Sequence, residues 1–340
     1  MIQYNLSFIN RNPKMNNIND FKEAIKNSEK IIIMPHVNPD GDTISSALAL
    51  NLILEKYFNK SSKLVVMGKV PEVYDFLPHL DRFININEIN SSEIFDLAIA
   101  VDIASKDRLS EGFDFFNKAK LTINIDHHKT NNNYGIINFV NSKASSAGEV
   151  LFNMTKGLQF KLDKDISTCL YTSILTDTGG FKYENTTANT LIIASELIEN
   201  GADPCKIYRA CYESKPQAMV ELQSYALSNA VFSADGKIAY TIISIEDMQK
   251  FKASDDYTDG ISEALRQIKT VEISFVLKET TLGQTKISLR SKNIDVSEIS
   301  AIFGGGGHKF AAGCTIKKPP AVALNKLLES IRKELYEKIS

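Results

Sequence analysis

Short strand-like runs rich in apolar residues, three of them followed by an acidic residue or a histidine, set the rhythm of the first half of this chain. Ile31-Ile32-Ile33-Met34 carries four apolar residues with no polar alternation. A run of that kind suits a strand buried on both faces of a parallel sheet. Leu64-Val65-Val66-Met67 reads as a second strand, and the stretches 96–101 and 121–125 as a third and a fourth. Between the first two, Ile44, Leu48, Leu52 and Leu54 recur at helical spacing and predict a helix over 43–57. Further helices are predicted over 145–154, 166–176 and 187–199, the last stopped by Asn200-Gly201. Strand and helix alternate, so the fold class predicted is α/β with a doubly wound parallel sheet.

The texture changes past Pro216. Residues 239–245, 271–279 and 285–290 are β-branched or alternating, with turn signals at Asp235-Gly236 and Leu282-Gly283. Helices are predicted over 260–268 and 321–338. This describes a smaller α+β domain. A chain of 340 residues suits two domains. The boundaries read as 1–200 for the first domain, 201–216 for a linker containing Pro204, and 217–340 for the second.

Composition narrows the classes. The formal net charge is −2 and the isoelectric point about 6.3, so no basic field exists for coating long nucleic acid. A short anionic ligand held by a few local cations and metals remains compatible. Cys169, Cys205, Cys211 and Cys314 lack C-x-x-C spacing and read as reduced packing residues rather than a zinc site. No apolar run reaches the roughly 18 residues of a membrane span, and the Asn-rich first 20 residues do not resemble a secretory signal. The expectation is a cytoplasmic protein without a membrane partner.

The chemistry lies where the apolar runs end. His36 and Asp40-Gly41-Asp42 follow the first run, Asp102 the third and Asp126-His127-His128 the fourth, while Asp177 ends the helix over 166–176. Open α/β sheets present their ligands at the ends of such strands. Asp40-Gly41-Asp42 taken alone is better read as a solvated turn, and Asp102 alone as a helix cap. The ordered conjunction of polar groups at one sheet edge points instead to metal. Imidazole and carboxylate donors suit Mn²⁺, Mg²⁺, Fe²⁺ or Co²⁺ better than a thiolate-type zinc site does. Pro39 and Gly41 are expected to form a loop that lets Asp40 and Asp42 face two different ions. By reach, His36, Asp40 and Asp102 take one ion, and Asp42, Asp102, His127 and Asp177 the other, with Asp102 bridging. Two ions about 3.5–4 Å apart can activate water and clamp a phosphate ester. His128 is then left for the substrate phosphate and Asp126 for orienting its neighbours. Asp102, Asp126 and His128 are the catalytic candidates.

These residues resemble the motifs of the DHH phosphoesterase superfamily. His36 to Asp42 is similar to its first motif, Asp102 to its second, Asp126-His127-His128 to its naming motif and Asp177 to its fourth. Phe303-Gly304-Gly305-Gly306-Gly307-His308-Lys309 resembles the signature of the DHH-associated substrate domain. The resemblance covers nearly the whole chain after about residue 20. It implies hydrolysis of phosphoesters by two divalent ions of the Mn²⁺ type, with Mg²⁺ or Co²⁺ as substitutes, and makes a homodimer plausible. There is no room for the added OB-fold of the long DNA exonucleases, and no transmembrane or sensory segment of the membrane-tethered phosphodiesterases. The glycine-His308 signature differs from the second domain of the family's pyrophosphatases. What remains is similar to the compact bacterial branch that degrades short RNA and dephosphorylates 3′-phosphoadenosine 5′-phosphate.

In the second domain, consecutive glycines let backbone N–H groups approach a phosphate or base. Gly305, Gly306, Gly307 and His308 are substrate-binding candidates, joined by Arg290 for a forked phosphate contact and by Ser291. Lys182, Tyr183 and Arg108 are further substrate candidates. The predicted function is degradation of very short single-stranded RNA to mononucleotides, with 3′-phosphoadenosine 5′-phosphate a second substrate. The rivals are a cyclic-dinucleotide or linear dinucleotide phosphodiesterase and a nucleotide-binding regulator without catalysis. The complete ligand set speaks against the last.

Overall fold

The computed structural model describes residues 17–337. It divides into two compact units, Met1–Ser214 and Lys215–Ser340. In the first unit the elements run α1 (Ile18–Lys26), β1 (Ile31–Met34), α2 (Gly41–Phe58), β2 (Lys63–Val66), β3 (Phe83–Asn85), β4 (Leu97–Val101), α3 (Phe113–Lys118), β5 (Leu121–Asp126), β6 (Ile137–Val140), α4 (Ala147–Gly157), α5 (Lys164–Asp177), α6 (Ala188–Glu199) and α7 (Pro204–Tyr212). The six strands form one parallel sheet in the order β3-β2-β1-β4-β5-β6. The winding reverses between β1 and β4, and a crevice for ligands opens at the carboxyl ends of strands at such a switch.

Both faces of this sheet are covered, which is why β1 and β4 are apolar and buried throughout. Ile31, Ile33, Ile99 and Ile123 pack beneath α1, α2, α4, α5 and α6, while Ile32, Met34, Ala98 and Ala100 face Phe115 and Phe116 of α3. Each fully buried Ile or Leu contributes about 1.5–3 kcal/mol of transfer free energy. From Gly41 to Leu54, α2 is buried throughout, polar residues included. A Cβ on Gly41 would lie 2.5 Å from Thr176 Oγ1, so glycine lets α2 start directly against α5.

Several expectations change here. Asp40-Gly41-Asp42 is not a free loop. Asp40 caps α2, its Oδ1 accepting from the Thr43 N–H at 3.1 Å, and Asp42 sits in the first turn. Strands β3 and β6 escape the apolar pattern because they are short and only part-buried. Within the stretch 201–216 lies α7, started by the Asp203 cap and Pro204, with Ile207 buried in the first unit's core.

The second unit contains α8 (Gln217–Ser228), β7 (Val231–Phe232), β8 (Ile238–Ile243), α9 (Ile245–Lys250), α10 (Ile261–Arg266), β9 (Ile273–Glu279), β10 (Thr285–Ser291), α11 (Val296–Ile302), β11 (Gly306–His308), β12 (Ala311–Ile316) and α12 (Pro320–Arg332). Its sheet has the order β11-β12-β10-β9-β8-β7, antiparallel except for the β8–β9 pair. Phe275, Leu277 and Leu289 pack on one face with α11 and α12, and Val276 and Ile243 on the other with α8 and α10. The last helix stops at Arg332 and gives way to a wider turn over Lys333–Glu337, so it is shorter than predicted. The end of the glycine run, with His308, supplies edge strand β11. Among the described residues, no helix is long and apolar enough to cross a membrane.

Candidate metal centre

The strand ends at the switch point converge. His36 follows β1, Asp102 follows β4, and Asp126, His127 and His128 lie at the end of β5. Asp40 and Asp42 enter from the start of α2, and Asp177 from the end of α5. Their donor atoms form three groups, each within 4.8 Å: His36, Asp40 and Asp102; Asp42, His127 and Asp177; and Asp102, Asp126, His127 and His128. The eight metal-ligand and catalytic candidates of this unit are therefore gathered in one place.

Asp102 joins the groups through separate oxygens. Its Oδ2 lies 3.6 Å from His36 Nε2, and its Oδ1 lies 3.5 Å from both His127 Nε2 and His128 Nδ1. His36 Nε2 is 3.7 Å from Asp40 Oδ2, and His127 Nε2 is 3.6 Å from Asp42 Oδ2 and 3.7 Å from Asp177 Oδ2. These separations are slightly longer than the roughly 3–3.5 Å between ligands sharing one ion with bonds of about 2.0–2.2 Å. The Asp102 backbone has φ +60°, in the left-handed region that Asp tolerates better than most residues. Its N–H still donates to the Ile125 carbonyl at 2.9 Å, so the chain turns immediately after its last bond to β5.

Neighbouring groups hold the donors. The Val37 carbonyl, which can only accept, lies 2.8 Å from His36 Nδ1 and so takes that proton, leaving Nε2 as the donor nitrogen. Arg108 Nη2 stands 3.2 Å from the same Nδ1, which puts this cation at the edge of the centre. Asp42 Oδ1 accepts from Ser46 Oγ at 2.8 Å and Ser173 Oγ at 2.5 Å, and its Oδ2 accepts from the Ala147 N–H at 2.8 Å. Asn185 Nδ2 donates to Asp177 Oδ2 at 3.0 Å. Asp126 Oδ1 accepts from the His127 N–H at 2.8 Å and His128 Nδ1 at 2.7 Å, while Asn131 donates to Oδ2. None of Ser46, Ser173, Asn185 and Asn131 stood out in the sequence.

Without a cation this arrangement is costly. Asp102 Oδ1 is buried and accepts no hydrogen bond. Burial first, then the Asp42 charge, pushes the Asp102 carboxyl well above its ordinary range. Burial likewise pushes Asp177 up to about 7, with Asp42 and Asp40 adding to it and His127 opposing. Burial works against a charged His127 ring, yet Asp102, Asp177 and Asp42 together raise its pKa well above the usual value. An orphaned buried oxygen among crowded carboxylates, in an oxygen-and-imidazole donor set, fits divalent ions of the Mn²⁺, Mg²⁺ or Co²⁺ type.

In the second unit, strand register decides which candidates share a face. Arg290 and His308 both pair with Ala311, so they flank it in one row, about 10 Å apart across two strand spacings. Ser288 and Gly306 flank Gly313 in the next row. A Cβ on Gly305 would lie 2.2 Å from the Gly313 carbonyl, and one on Gly307 2.5 Å from the Ala311 carbonyl, whereas one on Gly306 would meet nothing within 4 Å. Ser291 is not gathered with them. Successive strand residues alternate faces, so it is buried on the opposite side, with its hydroxyl donating to the Ile294 carbonyl. The same alternation turns Gly307 away from the row of Gly306. Arg290 Nε donates to Glu263, and its Nη1 to the Leu289 carbonyl at 2.8 Å.

Comparison with known proteins agrees with this geometry. Residues 30–174 match the DHH family N-terminal domain, and residues 235–337 match the DHHA1 domain. A Streptococcus mutans protein described as a probable bifunctional oligoribonuclease and PAP phosphatase NrnA is 31% identical over 85% of this chain and 90% of its own length. The bifunctional oligoribonuclease and PAP phosphatase NrnA of Thermus thermophilus is 30% identical, covering 90% of each chain. The crystal structure of an exopolyphosphatase-related protein from Bacteroides fragilis superposes with a TM-score of 0.87 at 28% identity, covering 93% of this chain and 95% of that one. The chain belongs to the DHH family. It is a phosphoester hydrolase whose second unit carries a DHHA1 domain.

Proposed function

We propose that this chain hydrolyses very short RNA, a few nucleotides long, to mononucleotides, and that it also dephosphorylates 3′-phosphoadenosine 5′-phosphate. It works with two divalent ions, Mn²⁺ ahead of Mg²⁺ or Co²⁺. The observation that carries this reading is the pair of donor groups meeting on the two oxygens of Asp102. His36, Asp40 and Asp102 would hold one ion, and Asp42, Asp102, His127 and Asp177 the other. Bound there, two ions supply an activated water and neutralise charge on the phosphoryl oxygens.

The chain's own groups do the rest. Burial alone would raise the Asp126 pKa, but the His128 hydrogen bond and charge, with Asn131, hold it below its ordinary value. As a carboxylate, Asp126 accepts the Nδ1 proton of His128 and fixes the ring. In the doubly protonated ring, where both nitrogens carry hydrogen, Nε2 then donates to a phosphoryl oxygen in the transition state. In the second unit, Gly305, Gly306 and His308 contact a phosphate or base of the substrate with Arg290, which must exchange part of its Glu263 contact for the ligand. The net charge of −2 supports a short substrate, because only a few phosphates then need neutralising. The relatives described as oligoribonucleases and PAP phosphatases support the same substrate class.

The test is a substrate panel with Mn²⁺: RNA from two to 20 nucleotides, 3′-phosphoadenosine 5′-phosphate, and cyclic dinucleotides. Mononucleotide release should be fastest from the shortest RNA. Turnover of cyclic dinucleotides alone, or of none of these compounds by metal-loaded protein, would overturn the proposal.

A further inference from the structure

Asp177 is followed by a segment whose aromatic rings have no part in the donor groups. Gly179, Gly180 and Phe181 have φ of +57°, +74° and +64°, three consecutive left-handed residues. Left-handed backbone normally occurs as single residues, and a bulky side chain there is strained. The segment leaves Asp177 and is bonded back to it, since Asn185 Nδ2 donates both to the Asp177 carbonyl at 3.1 Å and to its carboxylate. Within it, the Lys182 and Tyr183 N–H groups both donate to the Thr178 carbonyl at 3.0 Å. Tyr183 is thereby carried beside a residue of the metal centre.

Two rings lie against this turn. A Cβ on Gly179 would fall 2.4 Å from the Tyr183 ring, and one on Gly180 would fall 3.5 Å from Tyr208 Cε2. Tyr208 is backed by Tyr212 at 5.0 Å between centroids, and the Tyr212 hydroxyl donates to the Leu175 carbonyl at 3.1 Å. Tyr183 remains 40% exposed and Tyr208 43%. Lys182 Nζ sits 5.5 Å from the centre of the Tyr183 ring. Two flat rings, braced from behind and left open to solvent beside a phosphoryl-transfer centre, form a surface that needs little ordering before a planar group stacks on it. A neighbouring ammonium suits a planar group that carries phosphate.

From this juxtaposition we infer that Tyr183 and Tyr208 form a stacking shelf for the base of the nucleotide whose phosphate is cleaved. The inference rests on the proposed nucleotide substrate and specifies where that substrate is gripped. It assigns to the first unit a base contact separate from the glycine run of the second.

The experiment compares an RNA dinucleotide with its two single-abasic analogues, using full-length Mn²⁺-loaded protein. Wild type should lose about ten- to a hundred-fold in kcat/KM when one particular base is removed. Tyr183→Ala and Tyr208→Ala should reduce that abasic penalty to within about threefold, while Tyr183→Phe and Tyr208→Phe retain it. The Mn²⁺-induced rise in thermal midpoint, measured on every variant, verifies that the metal centre is folded. An equal penalty in wild type and both Ala variants, or no penalty in wild type at either position, overturns the shelf alone. Failure of wild type to cleave the intact dinucleotide overturns the substrate reading, and the shelf with it.

Discussion

Asp102→Asn should stabilise the protein in EDTA and destabilise it in Mn²⁺, relative to wild type in each case. In metal-free protein the carboxylate is buried, one of its oxygens accepts no hydrogen bond, and Asp42 crowds it. Asn has nearly the same shape and tolerates a φ of +60°, so the substitution removes charge without adding backbone strain. Removing that buried charge is worth about 1–2 kcal/mol, the low end of what replacing buried charged groups by neutral ones gains. For a unit of roughly 200 residues this raises Tm by about 2–8 °C. With Mn²⁺ at a hundred times its dissociation constant, wild type gains about 2.7 kcal/mol, or roughly 5–11 °C, by mass action. The variant lacks the bridging carboxylate and should gain little. Thermal melts in EDTA and in Mn²⁺, paired with calorimetric titration of the metal, measure both terms. A lower Tm for Asp102→Asn in EDTA would refute the crowding argument. An equal Mn²⁺ response in the two proteins would refute the bridge.

Ser173→Ala removes one of the hydroxyls holding Asp42 and should weaken Mn²⁺ binding about 10–100-fold by calorimetry, with the fold retained. Asp96 accepts from the Glu29 and Lys30 N–H groups and from Lys120, and these contacts, Lys120 first, depress its carboxyl to about 2. A depressed carboxylate contributes stability above the unfolded pKa of 3.8 and loses it as pH falls through about 2. The shift corresponds to at most about 2.5 kcal/mol, and solvent screening of the exposed Lys120 reduces this to about 1. Urea midpoints should therefore show Asp96→Asn less stable by about 1 kcal/mol at pH 7 and by about half of that at pH 3. Gly306→Ala meets no atom of the chain and should leave Tm within about 1 °C while raising KM for RNA. Gly305→Ala collides with the Gly313 carbonyl and should lower Tm by several degrees, a cost of about 1–3 kcal/mol. An unchanged KM for Gly306→Ala would remove that glycine from the substrate surface.

The fold was legible where burial is two-sided. β1 and β4 read directly from their apolar runs, because a strand covered on both faces can be apolar throughout, whereas β5 carries buried Thr122 and Asn124 between its isoleucines. Edge strands Phe83–Asn85 and Ile137–Val140 are short and part-buried, so their sequences resemble the loops around them. α7 has a single fully buried residue, Ile207, and its Pro204 marks a helix start as readily as a linker. Pro39-Asp40-Gly41 carries turn chemistry, yet the Asp40 cap and the contact with Thr176 make it the start of a helix. Local propensity gave way to tertiary contact at that point.

At the metal centre the division between legible and hidden follows sequence distance. His36, Asp102 and His127 were found because each ends or follows a recognisable strand, and parallel strands bring their ends to one edge. Their supports come from far along the chain: Ser173 reaches Asp42 from 131 residues away. Serine and asparagine are common enough that no spacing marks them as partners. The role of Asp102 required both kinds of information. Its position after β4 places a carboxylate at the switch point, but that position alone does not fix where its two oxygens point. The left-handed turn at φ +60° is accompanied by one oxygen near His36 and the other near His127. That backbone conformation carries a steric cost and leaves Oδ1 without a hydrogen bond. A fold selected for stability alone would relieve both with a simple turn and a solvated side chain. Their persistence in a buried position is the physical reason to propose that Asp102 would join two cations when they are bound.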